Sequence, residues 1–299
     1  MNYPHDHKLT KILLFGTTGQ LARSFLDLLP PTQVRAVSRS EADFSDPKSC
    51  IKILNEYAPT SVINANAYTK VDLAEKEPES AFQVNAYTPG EIHRWCTSQD
   101  VPLIHFSTDY VFSGEGTLPW KESDPIQPLN RYGESKAEGE KIIQSLGGKF
   151  LIFRTSWVYA QEGQNFLRSM LRLGKERETL QIVSDQVGAP TYAPDLARGA
   201  LECLQKAAWL EKYPSGIYHL CNSGETSWFH FAEEIFRLAK IRGHHFKLKE
   251  MKKISSVEYP TPARRPLNSR LDTTKAQEVF DVRLPDWKKS LETCIEGIA

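Results

Sequence analysis

The stretch KILLFGTTGQLARSFLDLL, Lys11 to Leu29, carries three signals in a fixed order. Ile12 to Phe15 is a short unbroken apolar run, the pattern of a strand buried on both faces of a parallel sheet. The run stops at Gly16. Gly16 and Gly19 have the first two glycine spacings of a dinucleotide loop, and Ala22 holds the third place, where a small side chain still lets a helix pack closely. Leu21, Phe25, Leu28 and Leu29 then recur at helical spacing, so the turn opens a helix whose N-terminus faces a diphosphate. Strand, glycine turn and helix together predict an α/β protein built on a Rossmann-type doubly wound parallel sheet. Gly16, Thr18, Gly19, Gln20 and Leu21 are its phosphate-side cofactor residues.

The bulk composition narrows the partners. Of the 299 residues, 37 are basic and 37 acidic, so zero net charge argues against a nucleic-acid or membrane-surface partner. No apolar run approaches the roughly 20 residues of a membrane span, and the polar start shows no signal-peptide core. Cysteines 50, 96, 203, 221 and 294 are odd in number and unpaired in spacing, which suggests neither disulfides nor a zinc site and fits a cytoplasmic protein. No metal is predicted.

Further strands follow the first. VRAVS ends about 20 residues past the glycine turn, where a dinucleotide's adenosine ribose lies. An NAD site usually places a carboxylate there, but this chain has Ser38 and Arg39. Hydroxyl and guanidinium suit a 2′-phosphate, so the expected cofactor is NADPH in preference to NADH. Asp43 and Phe44 fall where the next crossover passes the adenine. TSVINANAYT is the third strand, with Ala65, Ala67, Tyr68 and Thr69 at its end beside a flat cofactor. A long helix, irregular around Pro89, turns Asn85 inward. VPLIHFSTD is the fourth strand and places Ser107, Thr108 and Asp109 at the carboxyl edge, where such sheets bind ligands.

Tyr132 and Lys136, in RYGESKAEGEK, are four residues apart and share one face of a helix, so phenol and ammonium reach one small volume. A neighbouring cation lowers a phenol's pKa and suits it to proton transfer. A solvated helix start has the same spacing, and context decides between them.

That context resembles a known family. GTTGQLA, INANAYTKVDLAE, STDYVFSG, YGESK and RTSWVYA resemble the extended short-chain dehydrogenase/reductases, most closely the dTDP-4-dehydrorhamnose reductase group. The likeness continues through VSDQVGAPTYA, GIYHLCNSGETSW and YPTPARRPLNSRLD, almost the whole chain from Lys11. It implies that Thr108, Tyr132 and Lys136 are catalytic, with Lys136 lowering the tyrosine's pKa and also holding the nicotinamide ribose together with Tyr132. It implies reduction by NADPH of the C4 keto group of a dTDP-linked 4-keto sugar. Related dehydratases carry Asp-Glu after the threonine; here Asp109 is followed by Tyr110, which argues against dehydration. Trp157 is expected against the sugar. Family likeness alone allows a homodimer and a magnesium ion at its interface, but no carboxylates that would hold it stand out. Two other readings remain: a reductase or epimerase of another nucleotide-linked deoxysugar, and an NADP-binding subunit like the regulatory subunit of methionine adenosyltransferase.

The second half reads as a smaller, interleaved C-terminal substrate domain. Residues 1–10 form a polar tail and 11–160 the NADP-binding domain, to which 179–210 return, leaving 161–178 and 211–299 for the nucleotide sugar. A helix begins near Asn165, placed with the substrate residues. Prolines 260, 262 and 266 keep their stretch extended, displaying Arg264, Arg265 and Arg270 as forks for diphosphate oxygens.

Overall fold

The computed structural model describes residues 10–298, so the tail assigned to 1–10 lies, apart from Thr10, outside the described residues. Ile12–Phe15 is β1, with all four side chains buried. Gly16 turns the chain at φ +113°, a conformation that favours glycine. Gln20–Leu28 then forms α1. Val34–Val37 is β2, Pro47–Tyr57 is α2 and Ser61–Asn64 is β3. Asp46 caps α2 through Lys48 N at 3.1 Å, with Pro47 at the first helical position, where its missing N–H is not needed.

Two short helices, α3 (Val71–Ala74) and α4 (Pro78–Phe82), lead into a π-helical turn, Gln83–Tyr87, and then α5, Thr88–Ser98. The irregularity falls beside Pro89, which has no N–H to offer the preceding turn. Leu103–Thr108 is β4, Arg131–Leu146 is α6 and Phe150–Thr155 is β5. Beyond them lie β6 (Val158–Tyr159), α7 (Phe166–Glu176), β7 (Thr179–Val183), β8 (Val187–Gly188), β9 (Thr191–Tyr192) and α8 (Ala193–Ala207). The chain closes with β10 (Gly216–His219), β11 (Thr226–Ser227), α9 (Trp228–Ile241), β12 (Glu250–Ile254), β13 (Asn268–Ser269), α10 (Thr274–Phe280) and α11 (Trp287–Glu296).

The main sheet has the order β10-β5-β4-β3-β1-β2, and every pairing in it is parallel. Strand order reverses between β1 and β3, which opens a crevice at their carboxyl ends. One face carries α1, α8 and α10 over Leu14, Ile104 and Phe153. The other packs Leu13, Val62 and Ile152 against α2, α5 and Ile143 of α6. A separate core gathers α7, α9 and α11 over Leu180 and Ile182 of β7.

The interleaving differs from the expected boundaries. Residues 179–183 do not return to the cofactor sheet, because β7 pairs with β12 in a two-stranded parallel sheet of its own. The return is made by α8, whose Leu196, Ala197 and Ala200 pack with Ile12 and Phe25. Gly216–His219, expected in the substrate domain, adds to the sheet edge beside β5. A four-residue strand is too short for its periodicity to reveal its partner.

Candidate active site

The site is organised by the start of α6. Asn130, in extended conformation, accepts the N–H of Gly133 on its side chain at 2.8 Å and so caps the helix. Gly133 has no Cβ because the carbonyl of Tyr110 occupies that space, which pins the first turn to the segment following β4. Tyr132 and Lys136, one turn apart on α6, both address the end of β4. Lys136 is buried, its Nζ 3.3 Å from His105 Nε2, while Nδ1 of His105 is 3.0 Å from Asn64 Nδ2. Thr108 is near enough to the Tyr132 phenol to favour its ionised form. Thr108 also donates to Asp109 Oδ1 at 3.0 Å and accepts from Tyr110 N at 3.2 Å.

Burial sets the electrostatics here. Desolvation, with the Asp109 charge second, pushes the Tyr132 phenol up to about 12, although the Thr108 hydroxyl opposes it. Lys136 is brought down to about 8 by desolvation, against the pull of Glu140. Asp109 is pushed up to about 7 by burial, and its Oδ2 has no hydrogen-bond partner among the described residues. The phenol's shift shows no lowering by Lys136, whose ammonium lies against His105.

The crevice between β1 and β3 presents groups that suit a dinucleotide. A Cβ on Gly16 would crowd Ala22 at 3.3 Å and approach Ala65 at 3.7 Å, whereas nothing lies within 4 Å of one on Gly19. The open N-terminus of α1, with Thr18 exposed and Gln20 and Leu21 half-buried, faces this space. Ala65 N donates to Phe15 O, and Ala67, Tyr68 and Thr69 continue along the same edge. The Ser107 hydroxyl is buried without a partner among the described residues. Two expected cofactor residues sit otherwise. The Phe44 side chain is 2 % exposed and packs edge-on against Phe15, so it is core. Asn85 is fully buried and spends its amide on Tyr68 N, Tyr68 O and Ser135 Oγ, because an inward amide must satisfy its own polar atoms; it shapes the crevice without facing it.

At the ribose corner Arg39 is exposed and 3.6 Å from Asp43. Ser38 is not free, because its N and Oγ donate to Glu41 Oε2 at 2.9 and 2.8 Å. These bonds, the backbone one foremost, hold the Glu41 carboxyl below its usual range. The acid absent at the strand end is thus supplied three residues later.

A cavity of about 970 Å³ opens beyond Tyr110, walled by Phe166, Trp228, Tyr259, Arg264 and Arg265. Arg265 is not a free fork, since its Nη2 donates to Asp72 Oδ2 at 2.8 Å. Trp157 adopts φ +49°, a strained value for a tryptophan, and stacks on Trp228 at 3.7 Å, so Trp228 presents that aromatic shelf to the cavity. Asn165 stands apart from the cavity wall. It caps α7 through Arg168 N and donates to Gln20 Oε1 at 2.7 Å and Ala160 O, leaving its amide no arm for a substrate.

Sequence reasoning passed over Glu41, His105, Asn130 and Trp228. Only Asn130 carried a readable local signal, a capping residue just before a helical pattern.

Comparison with known proteins agrees with this architecture. The family model described as RmlD substrate binding domain matches residues 10–299. The dTDP-4-dehydrorhamnose reductase of Escherichia coli strain K12 is 43% identical over 293 residues, which span 96% of this chain and 97% of that one. The crystal structure of a dTDP-4-dehydrorhamnose reductase from Clostridium acetobutylicum superposes with a TM-score of 0.87 at 35% identity, covering 96% of this chain and 98% of that one. The Bacillus anthracis dTDP-4-dehydrorhamnose reductase, solved in complex with NADP, superposes at 0.86 with 32% identity, covering 96% and 99%.

Proposed function

Because the chain belongs to the RmlD substrate binding domain family, we propose that it reduces the C4 keto group of dTDP-4-dehydro-L-rhamnose to give dTDP-L-rhamnose, with NADPH as the preferred cofactor. The observation that carries this reading is that Tyr132 and Lys136, one turn apart on α6, both reach β4, the phenol beside Thr108 and the ammonium at His105. A purely cofactor-binding subunit has no need of that arrangement.

NADPH supplies the hydride when bound. The glycine turn and the N-terminus of α1 would hold its diphosphate, and the crevice at Ala65 and Ser107 would take the nicotinamide half. Tyr132, kept protonated by its buried surroundings, donates its proton to the C4 oxygen as negative charge develops there. Thr108 steadies the same oxygen through its hydroxyl. Lys136 would hold the ribose hydroxyls of the cofactor and keep a cation near the phenol as its proton leaves. Arg39 meets the 2′-phosphate. Arg264 and the Trp228 shelf receive the nucleotide sugar. The five buried, free cysteines support a cytoplasmic setting.

The test is to incubate the protein with the 4-keto sugar nucleotide and NADPH, follow cofactor oxidation and identify the product by NMR. The rhamno configuration supports the proposal, the 4-epimer would name a different reductase, and no oxidation would leave a binding protein. Tyr132→Phe is expected to lower kcat by about 10²- to 10⁴-fold while KM for NADPH changes little.

A further inference from the structure

Asn130 does two things with one buried amide. It is 3 % exposed, its Oδ1 accepts Gly133 N at 2.8 Å, and its Nδ2 donates to the carbonyl of Arg264 at 2.7 Å. The first bond starts the helix that carries Tyr132 two residues later. The second holds the extended strap 259–267, which forms one wall of the large cavity. Two other ties join these parts. Asp72 of α3 accepts Ala263 N and pairs with Arg265, and Glu75, at the end of α3, accepts Arg131 N at 2.8 Å. Asp72 is half-buried and Glu75 exposed, so water competes for these hydrogen bonds and for the Asp72–Arg265 ion pair. The amide of Asn130 is shielded from water, and leaving either of its partners unsatisfied carries the full desolvation penalty. Pro266 packs where a Cβ on Gly114 would lie, and Asn268 N donates to Gly114 O at 2.9 Å, so the far end of the strap is clamped as well.

We propose that Asn130 is a positioning residue that couples the seating of the 259–267 strap, and with it occupancy of the nucleotide end of the cavity, to the placement of the Tyr132 phenol. This inference rests on the reductase reading for its substrate. When the nucleotide draws the strap onto itself, the Arg264 carbonyl moves with it, and through Asn130 that displacement reaches the first turn of α6. Binding energy from a part of the substrate that does not react is thereby spent on orienting the acid. A simple helix cap needs only the Oδ1 arm, so the Nδ2 arm separates coupling from capping.

Two variants separate them experimentally. Serine and aspartate both cap helices well, so Asn130→Ser and Asn130→Asp keep an acceptor for Gly133 N. Neither offers an amide donor to Arg264 O: the serine hydroxyl is too short, and the carboxylate repels the carbonyl. In each, KM for the keto sugar nucleotide is expected to rise and kcat to fall by about tenfold together, the loss of one buried hydrogen bond, while KM for NADPH is unchanged. Hydrogen exchange in the protein without substrate should quicken in residues 259–268 and stay at the wild-type rate in α6. Wild-type sugar kinetics with unchanged strap exchange in both variants would overturn the coupling. So would strap and helix loosening together with a raised KM for NADPH, which marks a structural cap only. If the wild-type protein does not reduce the sugar, the reductase reading fails, yet strap exchange still reports on Asn130.

Discussion

Asp109 follows Thr108 with its carboxyl buried and Oδ2 unpartnered among the described residues, and burial pushes it up to about 7 from 3.8. A carboxyl whose pKa rises on folding binds more protons folded than unfolded, so the stability it lends is complete below about pH 4 and is lost as pH rises through 7. Asp109→Asn removes that dependence. Melting curves should show the variant gaining on wild type by several degrees between pH 5 and pH 8, and a constant difference would show that Asp109 ionises freely. Glu41 makes the second residue-level case. It is held ionised by Ser38, beside the spot where Arg39 would meet a 2′-phosphate. Glu41→Gln should therefore raise the ratio of kcat/KM for NADPH over NADH by about tenfold, and Arg39→Ala should lower it by a similar factor; an unmoved ratio in both would place the ribose elsewhere. Residue types at the strand end were readable in the sequence, but their partners were not. Ser38 is bound by a carboxylate three positions on, and Arg265 by one from α3, and a linear pattern shows neither pairing.

Between β5 and α6, Arg154 and Glu140 form a pair with almost no exposure, at 2.9 Å through Nε and 2.7 Å through Nη2, and the guanidinium also lies 5.0 Å over the Phe112 ring. The Glu140 charge also opposes the lowering of the Lys136 pKa, so this pair anchors the element that carries the chemistry. Removing one member leaves an uncompensated buried charge. Glu140→Leu is expected to cost about 3–5 kcal/mol in denaturant unfolding, and adding Arg154→Met to recover most of it. If the double variant were no more stable than the single one, repacking rather than charge would be the cause. Elements were legible where a motif or a regular pattern fixed them: β1 by the glycine turn that ends it, α1, β4 and α6 by their spacing, and the irregularity near Pro89 by the proline. The pairing of short strands was not, because four residues such as Gly216–His219 hold only two side chains per face, and neither periodicity nor composition names the strand they join.

At the scale of the molecule, the first 160 residues do not complete the sheet they begin. Its β5 edge is covered by β10, and one whole face is covered by α1, α8 and α10, where Leu196, Leu201, Leu204 and Phe280 pack with Ile12, Leu14, Ile104 and Phe153. Cutting after residue 160 strips β10, α8 and α10 from the sheet while leaving α1, the glycine turn and both α6 residues covalently intact. Each large apolar side chain returned to water forfeits about 1.5–3 kcal/mol, and a handful of them exceeds the 5–15 kcal/mol that ordinarily separates folded from unfolded chains. A fragment of residues 11–160 is therefore expected to give a collapsed nitrogen–proton correlation spectrum, no cooperative melt and no binding of NADP⁺. Residues 11–299 should give dispersed signals and a sharp transition. A well-dispersed 11–160 fragment that bound NADP⁺ would mean that α1, α2 and α5 alone suffice for the nucleotide half, and that α8 and β10 serve only to hold the substrate side in place.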